Sequence, residues 1–405
     1  MRTFTFKGLF LTAVFMLLGC LSIQAADDDL ITRQITIKLD KAGTLPDKIG
    51  SSKKNLITKL KIVGEVNGTD WCFIREMAGS GYDGKSTEGK LSVLDLSEAK
   101  IVEGGYYYNK YYYYENDVYY YKNCYTSNDV IGKCAFKGCS GLTSLTLPAG
   151  ITTIGGSAFE GCSGLTSLNL PAGITSIGDD AFYGCSGLTS ITIPNGVTQI
   201  DKNAFRDCTG LTSLTLPANI KRIGESAFKN CSGLTSLNLP AGITTIGSSA
   251  FYGCSGLTSL TIPDGVTKIG KYAFSNCSYL TSLTIPSSVN SLGDYAFKNC
   301  SSLQSVHVSW STPISAGKAF NKADVSKCTL YVPQGTEQDY FLADVWGDFG
   351  NIVEYDPTGI DKVTTSTDAK ELSRYSVNGQ RLATPTKGLN IVKYSDGSVK
   401  KVVVQ

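Results

Sequence analysis

The middle of this chain repeats at an interval of 23 residues, and that interval limits what the chain can fold into. Phenylalanine recurs at this step from Phe136 to Phe320, and cysteine recurs at it from Cys139 to Cys300. One copy, residues 142–164, reads LTSLTLPAGITTIGGSAFEGCSG. Independent compact domains cannot share so short a period, whereas the stacked coils of a solenoid do. The period therefore predicts a repeat solenoid.

Each copy combines apolar positions with turn residues. Pro148 and Gly150 suit a turn, because proline lacks a backbone donor and glycine tolerates a positive φ. Eight positions of this copy are expected to point inward: Leu142, Leu145, Leu147, Ile151, Ile154, Ala158, Phe159 and Cys162. One coil alone buries too little apolar surface to offset the entropy of ordering its chain. Neighbouring coils must therefore supply further burial and the strand hydrogen bonds.

The motif L-x-x-L-x-L-P-x-x-I-x-x-I-G-x-x-A-F-x-x-C recurs between Leu91 and Phe320. It resembles the bacterial leucine-rich repeat of the BspA-like, or Treponema pallidum-type, class. The resemblance implies a curved right-handed solenoid built mostly of short β-strands and turns, with strands lining its concave side. It also implies a secreted or surface-displayed protein whose usual inferred role is adhesion to host or bacterial surfaces.

Segments that lose the repeat register are expected to cap both ends of the solenoid. We assign residues 26–90 to an N-terminal cap, residues 91–322 to the leucine-rich repeat solenoid and residues 323–355 to a C-terminal cap. Asp70 is the expected N-cap of a short helix over residues 71–78. A second helix is expected around residues 337–346.

Residues 1–25 have the pattern of a secretory signal peptide. Arg2 and Lys7 precede an apolar run too short to span a bilayer, and Ala25 and Ala26 provide a processing site. The protein is therefore expected to be exported to the cell surface, the outer membrane or the extracellular medium. A second interpretation is a lipoprotein, because residues 17–20 read LLGC and resemble a lipobox that would lipidate Cys20.

The C-terminal tail has the pattern of a small all-β domain. The polar residues 356–373 are expected to form a linker. Residues 374–405 then alternate as strands around two hairpin turns, Asn378-Gly379 and Asp396-Gly397. This tail resembles the sorting domain that Bacteroidetes proteins use in type IX secretion. The resemblance leaves open whether the tail is cleaved or anchors the protein.

Charge and histidine content exclude several classes of function. The chain has 37 Lys and Arg against 35 Asp and Glu, and losing Arg2 and Lys7 with the signal peptide leaves 35 against 35. A neutral protein is not expected to hold nucleic acid by bulk electrostatics. His307 is the only histidine, and no nucleophile elbow, P-loop or zinc-protease motif occurs. We therefore expect no catalytic residue, no metal site and no cofactor.

Eight of the 13 cysteines form a column of the repeat from Cys139 to Cys300. Coils about 4.8 Å apart hold parallel Cβ atoms outside the range of about 3.5–4.5 Å that disulfides need. We therefore expect free, buried thiols that donate weakly to backbone carbonyls. Four further cysteines lie outside the column: Cys72, Cys124, Cys134 and Cys328. A Cys124–Cys134 disulfide is the alternative to free thiols at the end of the insertion described next.

An insertion at about residues 102–130 contains the densest aromatic segment of the chain. Eleven of the 20 residues from 106 to 125 are tyrosine. Tyrosine offers a large rigid surface and a hydroxyl group, a combination enriched in antibody contact loops. The candidate ligand contacts are Tyr106, Tyr107, Tyr108, Tyr111, Tyr112, Tyr113, Tyr114, Tyr119, Tyr120 and Tyr121. The alternative is a flap lying on the flank of the solenoid, or a low-complexity expansion.

The fifth position of each copy forms a polar column on the expected concave face. Its members are further candidate ligand contacts: Thr146, Asn169, Thr192, Thr215, Asn238, Thr261, Thr284 and His307. With the Thr and Ser at positions two and three, they predict flat rows of hydroxyl groups that suit a glycan or an extended protein. The alternative is a solvated face without a ligand, and for His307 a solvated residue beside the C-terminal cap.

These features predict an exported, non-enzymatic cell-surface protein that binds or adheres through a leucine-rich repeat scaffold. The expected partner is a host extracellular or cell-surface protein, or a surface glycan. Neither nucleic acid nor a transmembrane helix in the mature chain is expected, and the repeats fix a scaffold without naming its ligand or its oligomeric state. The alternatives are a structural surface or matrix component without a discrete ligand, and a protein that captures glycans.

Overall fold

The computed structural model describes residues 29–115, 118–355, 371–376, 381–394 and 399–404. The predicted signal peptide, Cys20 and most of the predicted linker lie outside these residues. Within them the repeat solenoid is confirmed, because equivalent residues of successive copies pair in parallel. Ser190 pairs with Ser213 and Gln199 pairs with Arg222, each one repeat apart.

Two rows of short parallel strands run along the solenoid, on two sides of each coil. The first strand row contains Ile35–Leu39, Lys59–Val66, Val93–Ile101, Ser144–Thr146, Ser190–Thr192, Ser213–Thr215, Ser259–Thr261, Ser282–Ile285, Ser305–Val308, Thr329–Pro333 and Asn351–Tyr355. The second strand row contains Val130–Ile131, Thr153–Ile154, Ser176–Ile177, Gln199–Ile200, Arg222–Ile223, Thr245–Ile246, Lys268–Ile269 and Ser291–Leu292. In both rows the apolar residues point inward and the intervening polar residues point outward, as the alternation of a strand requires.

The phenylalanine column forms the centre of the core. Its nine side chains, Phe136 to Phe320, are buried, and adjacent rings stack with centroids 5.0–5.7 Å apart. The interplanar angles of these stacks stay between 4° and 20°. This spacing is the coil-to-coil distance, so every coil repeats the packing of the one before it.

The prediction of free, buried thiols is confirmed for the cysteine column. From Cys162 to Cys300 each Sγ lies 3.1–3.5 Å from the backbone carbonyl oxygen of the phenylalanine one coil earlier, to which it donates. Burial raises the pKa of these thiols, to about 11 for Cys139 and about 12 for Cys185. The column is therefore held as neutral thiols at physiological pH.

Asparagine at the fifth position interrupts the first strand row. The copy with Asn238 contains no strand there, and the copy with Asn169 contributes only a single bridge at Ser167. The copies with threonine at this position form strands. This difference follows from the low preference of asparagine for extended, half-buried positions.

An aspartate in place of glycine interrupts the second strand row. No pairing joins Ser176–Ile177 to Gln199–Ile200. The residue after the latter strand is Asp201, whereas the other regular copies have glycine there. A Cβ atom on Gly178, for example, would lie 2.8 Å from the backbone nitrogen of Gly156 in the preceding coil. A side chain at position 201 therefore disfavours strand pairing at this point, although the Phe182 and Phe205 rings of the same two coils still stack at 5.0 Å.

Three long strands continue the first row upstream of the regular copies, together with two helices. Ile35–Leu39, Lys59–Val66 and Val93–Ile101 pair in parallel in that order. Helix α1 spans Leu45–Ile49 and helix α2 spans Gly68–Met77.

The prediction that Asp70 is the N-cap of α2 is wrong. The N-cap is Asn67, whose side chain accepts a hydrogen bond from the Thr69 N–H at 3.0 Å. Asp70 is the third helical residue of a capping box and accepts from the Asn67 N–H at 3.0 Å. Its carboxylate also accepts from the backbone N–H groups of Gly43 and Leu45, so it ties α2 to the start of α1.

Helix α2 closes the first end of the phenylalanine column. The Trp71 ring lies 5.2 Å from the Phe136 ring, and its indole N–H donates to the Ala135 carbonyl at 2.9 Å. Arg75 is fully buried beside it and donates to four backbone carbonyls and the Ser80 hydroxyl. These contacts support the proposal that residues 26–90 cap this end.

Helix α3 and two short 3-10 turns cover the other end. Helix α3 spans Glu337–Leu342, so it ends earlier than predicted, and the turns span Val325–Lys327 and Trp346–Asp348. The rings of Trp346 and Phe349 lie 5.7 and 5.6 Å from that of Phe320. They cover the last ring of the column, which supports residues 323–355 as the C-terminal cap.

The tail forms a separate antiparallel sheet. Its strands are Glu371–Ser376, Arg381–Leu382, Gly388–Tyr394 and Val399–Val404, and the first and last of them flank Gly388–Tyr394. Buried Arg374 joins two strands, because it contacts the carboxylate of Glu371 at 2.7 Å and the side chain of Asn390 at 3.3 Å. The two predicted hairpin turns lie outside the described residues, and the resemblance to a sorting domain stays a prediction.

Candidate functional site

The tyrosine-rich insertion forms a β-hairpin, which we call the tyrosine hairpin. Its strands, Gly104–Glu115 and Val118–Thr126, pair antiparallel. Consecutive tyrosines favour such pairing, because aromatic residues have a high preference for strands and interact across paired strands. Gly68, the first residue of α2, has no side chain where the hairpin begins, and a Cβ there would collide with the Tyr106 carbonyl oxygen. The base of the hairpin therefore packs directly on α2.

Tyr108 anchors the hairpin to the solenoid and does not face solvent. It is 1% exposed, its ring lies 6.4 Å from that of Trp71, and its hydroxyl donates to the Lys133 carbonyl at 2.9 Å. Neighbouring Asn109 is also buried and donates to the Cys134 carbonyl at 3.2 Å. The prediction of Tyr108 as a ligand contact is therefore wrong, because its side chain is buried in the core and cannot reach a ligand.

Cys124 and Cys134 meet at this base as free thiols. Both are buried and neither is bonded covalently to the other, so the alternative of a disulfide between them is not what the structure contains. The interaction between the two thiols raises the pKa of Cys124 and lowers the pKa of Cys134.

Three tyrosine rings surround the ammonium group of Lys110. Its Nζ lies 5.7 Å from the ring centroid of Tyr82, 5.4 Å from that of Tyr107 and 5.2 Å from that of Tyr121. Its backbone N–H also donates to the Tyr82 carbonyl at 3.0 Å. These cation–π contacts fix the lower half of the hairpin against the loop after α2.

An apolar cavity of about 280 Å³ opens between α2 and the hairpin. It is lined by Pro46, Thr69, Cys72, Phe73, Glu76, Tyr82, Tyr106 and Tyr107. The carboxylate of Glu76 at its wall is already paired with the Lys54 ammonium at 2.6 Å. The cavity thus suits a small apolar or aromatic group rather than an ion. The sequence did not point to Phe73 or Tyr82, because only the fold brings residues 73 and 82 beside the insertion.

The remaining tyrosines of the hairpin divide into exposed and undescribed side chains. Tyr106 is 74% exposed and Tyr121 is 61% exposed. Tyr107 is half-buried, with its ring edge-on to that of Tyr125. For six predicted contacts the structure describes the strand but not the side chain: Tyr111, Tyr112, Tyr113, Tyr114, Tyr119 and Tyr120. They occupy the half of the hairpin beyond Lys110.

The polar column of the first strand row is exposed over most of its length. Thr146, Asn169, Thr192, Thr215, Asn238 and Thr261 are all exposed, and Thr284 is half-buried. An open cleft of about 510 Å³ lies at the interruption around Asn238, with Ser236, Thr261 and Asp264 in its wall.

The threonines at position two have a structural role that the sequence interpretation did not assign. The hydroxyls of Thr166, Thr189, Thr212, Thr258 and Thr281 each donate to the backbone carbonyl of the equivalent threonine one coil earlier, at 2.9–3.4 Å. Their protons are therefore used within the solenoid. Positions three and five are left to offer hydroxyl donors on this face.

His307 lies beside the C-terminal cap and is only partly exposed to solvent. The imidazole is half-buried and stacks on Tyr331 with ring centroids 4.2 Å apart and an interplanar angle of 4°. The ring of Tyr355 lies edge-on at 5.7 Å. Burial lowers the pKa of His307, so the ring stays neutral at physiological pH. The polar column thus ends in an aromatic cluster, which sequence analysis missed because Tyr331 follows after the repeat register is lost.

Within the described parts of the chain, no group of His, Cys, Asp and Glu side chains is placed to hold a metal ion. No helix of those same parts is long and apolar enough to cross a membrane.

Comparison with known proteins identifies the repeat. The family described as "BspA type Leucine rich repeat region" matches residues 109–235 and 221–337, with six copies. No curated protein matches the sequence.

Several solved bacterial structures are similar to this chain. A leucine-rich repeat protein of T. pallidum is 28% identical, with a TM-score of 0.39, over 48% of this chain and 87% of that one. A leucine-rich cell surface protein of Faecalibacterium prausnitzii is 27% identical, with a TM-score of 0.35, over 56% of this chain and 76% of that one. The pneumococcal vaccine antigen PcpA is 19% identical, with a TM-score of 0.43, over 74% of this chain and 80% of that one.

Proposed function

The chain belongs to the BspA-type leucine-rich repeat family, and from this we infer that it is a binding scaffold displayed on a bacterial cell surface. The scaffold performs no chemistry and adheres to a host extracellular or cell-surface protein. The tyrosine hairpin is the part that makes specific contact.

The observation that carries this proposal is the contrast between buried and exposed side chains on the same hairpin. The base is fixed, since Tyr108 and Asn109 are buried and bonded to residues 133 and 134. Tyr106 and Tyr121 nevertheless expose most of their surface to solvent. Large exposed aromatic side chains on a rigid mount are what protein contact surfaces use, because little conformational entropy is lost on binding.

The rest of the solenoid supports this role as a mount. Its stacked coils hold the hairpin at one end and the polar column along one side. Protein-binding solenoids use such extended faces to present contacts over a long distance. Export by a signal peptide, with Cys20 lipidation as the alternative, would bring the hairpin to the cell exterior.

The test shortens the hairpin without touching its anchor. Lys110 and Asn123 face each other across the two strands, so residues 111–122 are replaced by Asn-Gly, which closes a two-residue turn at that point. Tyr108 and Asn109 are retained. A second variant replaces only the tyrosines from Tyr111 to Tyr121 by threonine. It keeps the two strands and removes the aromatic rings.

Both variants are expected to keep the circular dichroism spectrum of the solenoid and to lose binding to immobilised matrix proteins and to epithelial cells. Unchanged binding by both variants would contradict the proposal and favour a structural surface component without a discrete ligand. Loss of binding in the shortened variant alone would show that the hairpin acts through its length and not through its tyrosines.

A further inference from the structure

The sixteenth position has a left-handed backbone in the seven consecutive copies from Ser157 to Tyr295. Its φ is 55° at Ser157, 56° at Asp180, 53° at Asn203 and 55° at Ser249. Small residues and Asn or Asp are the side chains that tolerate this conformation best. The repeat therefore selects small polar residues at this position.

Two consecutive copies break this rule with tyrosine. Tyr272 has a φ of 57° and Tyr295 a φ of 63°. A bulky residue held in this region of φ is strained, and such strain is concentrated at binding and catalytic sites. The two rings stack on each other with centroids 4.9 Å apart. Both are half-buried, so part of each ring is open to solvent.

Two lysines flank the stacked pair. The Nζ of Lys271 lies 5.4 Å from the Tyr272 centroid, and the Nζ of Lys298 lies 5.2 Å from the Tyr295 centroid. Each ammonium is also 6.0 Å from the other ring. Since Lys298 occupies position 19 and reaches rings at position 16, these two positions are neighbours on one flank of the solenoid.

The same alternation of ring and ammonium extends to earlier coils. At position 19 the Nζ of Lys229 lies 4.9 Å from the centroid of Tyr252. Three tyrosines and three lysines thus follow one another on this flank. We call this set the tyrosine–lysine strip: Lys229, Tyr252, Lys271, Tyr272, Tyr295 and Lys298.

The charge of the strip is not compensated. Among the described residues no carboxylate lies within 4.0 Å of the ammonium groups of Lys229, Lys271 or Lys298. Some lysines elsewhere on this flank are paired, for example Lys137 with Glu160 at 2.8 Å. The strip itself carries three positive charges, those of its three lysines. The exposed carboxylate of Asp294, which lies between the two tyrosines in sequence, lowers the excess of positive charge to two.

We propose that the tyrosine–lysine strip binds a sulfated polysaccharide. Aromatic rings pack against the CH-rich faces of sugars, and exposed ammonium groups pair with sulfate oxygens as point charges. A polysaccharide with pendant sulfates offers both groups along one chain. The charged groups of the strip are lysines, which act as point charges, whereas Arg206, one coil before Lys229, lies 5.3 Å over the Tyr183 ring and is paired with Asp207 at 3.5 Å. The strip lies on the repeats themselves and makes no use of the tyrosine hairpin.

The repeat supplies substitutions that are already accepted at each position. In the strip variant Lys271, Tyr272, Tyr295 and Lys298 are all replaced by serine. Serine occurs at the equivalent positions of other copies, as Ser248, Ser249 and Ser275. The variant therefore removes four of the six residues of the strip, keeps Lys229 and Tyr252, and leaves the core unchanged.

A control removes the same number of positive charges from another side of the solenoid. Lys221 and Arg222 are replaced by threonine, the residue that the next copy has at both positions. The probes are heparin, heparin stripped of its sulfates, and an oligothymidine of similar charge. Affinities are measured by isothermal calorimetry on the full chain.

The wild-type protein is expected to bind heparin and to show no binding to desulfated heparin or to the oligothymidine. The strip variant should bind heparin about tenfold more weakly, a loss of about 1.4 kcal/mol, because two of the three ammonium groups and two of the three rings of the strip are removed. The control variant and the variant with the shortened hairpin should bind as the wild type does, so this site is tested separately from adhesion through the hairpin.

Three results would overturn the proposal. An equal loss of heparin affinity in the control variant would show that only net charge matters. An affinity for desulfated heparin equal to that for heparin would exclude recognition of sulfate. Comparable binding of the oligothymidine would assign the strip to nucleic acid instead.

Discussion

Replacing Cys185 by alanine tests the buried thiol column through its pH dependence. The Cys185 side chain is fully buried and donates to the Phe159 carbonyl at 3.1 Å. Burial raises the pKa of this thiol to about 12. At neutral pH the thiol is protonated in both the folded and the unfolded chain. Cys185→Ala should then lower the free energy of unfolding by about 1 kcal/mol, for the small cavity that remains.

Alkaline pH reverses the sign of that difference. The unfolded thiol loses its proton near its ordinary pKa of about 8.5, whereas the folded thiol keeps its proton up to about pH 12. Between these values the folded state binds one proton more, so wild-type stability falls by about 1.4 kcal/mol per pH unit from this one group. At pH 10 the loss reaches about 2 kcal/mol. The variant lacks this loss and should be the more stable protein there.

The assay is urea unfolding of wild type and Cys185→Ala at several pH values from neutral to pH 10, followed by circular dichroism. The remaining thiols of the column are common to both proteins, so their titration cancels in the difference. The expected result is a crossover of the two stabilities between pH 9 and pH 10. A difference that stays constant across this range would show that Cys185 is not held protonated by burial, and would refute the reasoning.

Three further substitutions or measurements test other parts of the structure. Arg75→Met should lower the free energy of unfolding by about 3 kcal/mol or more, because several buried carbonyls lose their donor, and unchanged urea unfolding would contradict that role. Asn238→Thr should complete the first strand row and slow amide exchange at residues 236–238; unaltered exchange would show that asparagine is not what interrupts the row. His307, the one histidine, should titrate by NMR below the ordinary pKa of about 6.5, and stability should fall as pH drops through that window, since only the unfolded ring is readily protonated. A normal pKa for His307 would contradict the burial of its ring.

The sequence predicts the repeating part of this fold because the same apolar residue types recur at each buried position in successive copies. Phe228, for example, has the same neighbours in the coils before and after it, so a column of the sequence becomes a column of the structure. The same logic predicted the thiol column and its hydrogen bonds to carbonyls.

Single departures from the repeat could not be predicted in the same way, because their effect depends on the neighbouring coil. Asp201 interrupts the second strand row only because the backbone of the preceding coil fills the space beside this position. Asn67, rather than Asp70, caps α2 because Asp70 has partners in α1 that no local pattern reveals. Tyr108 was expected at the surface with its neighbours, yet it fills a space next to Trp71.

The candidate sites follow the same division. The tyrosine hairpin was found from composition alone, but which of its tyrosines anchor it depends on contacts with residues 133 and 134. The tyrosine–lysine strip was overlooked because the consensus motif of the repeat describes the residues that the copies share. The strip consists of residues in which single copies differ from that motif. The signal was present in Tyr272 and Tyr295, which stand at a position where other copies have small polar residues.

The claim on which the rest depends is that the coils form one continuous stack whose interior holds reduced thiols. Alkylation of the native protein with iodoacetamide, followed by peptide mapping, tests this claim directly. Half-buried Cys72 should be modified, and the eight thiols from Cys139 to Cys300 should react only after unfolding in urea. Rapid modification of those eight thiols in the native protein, or disulfides between them, would contradict the account.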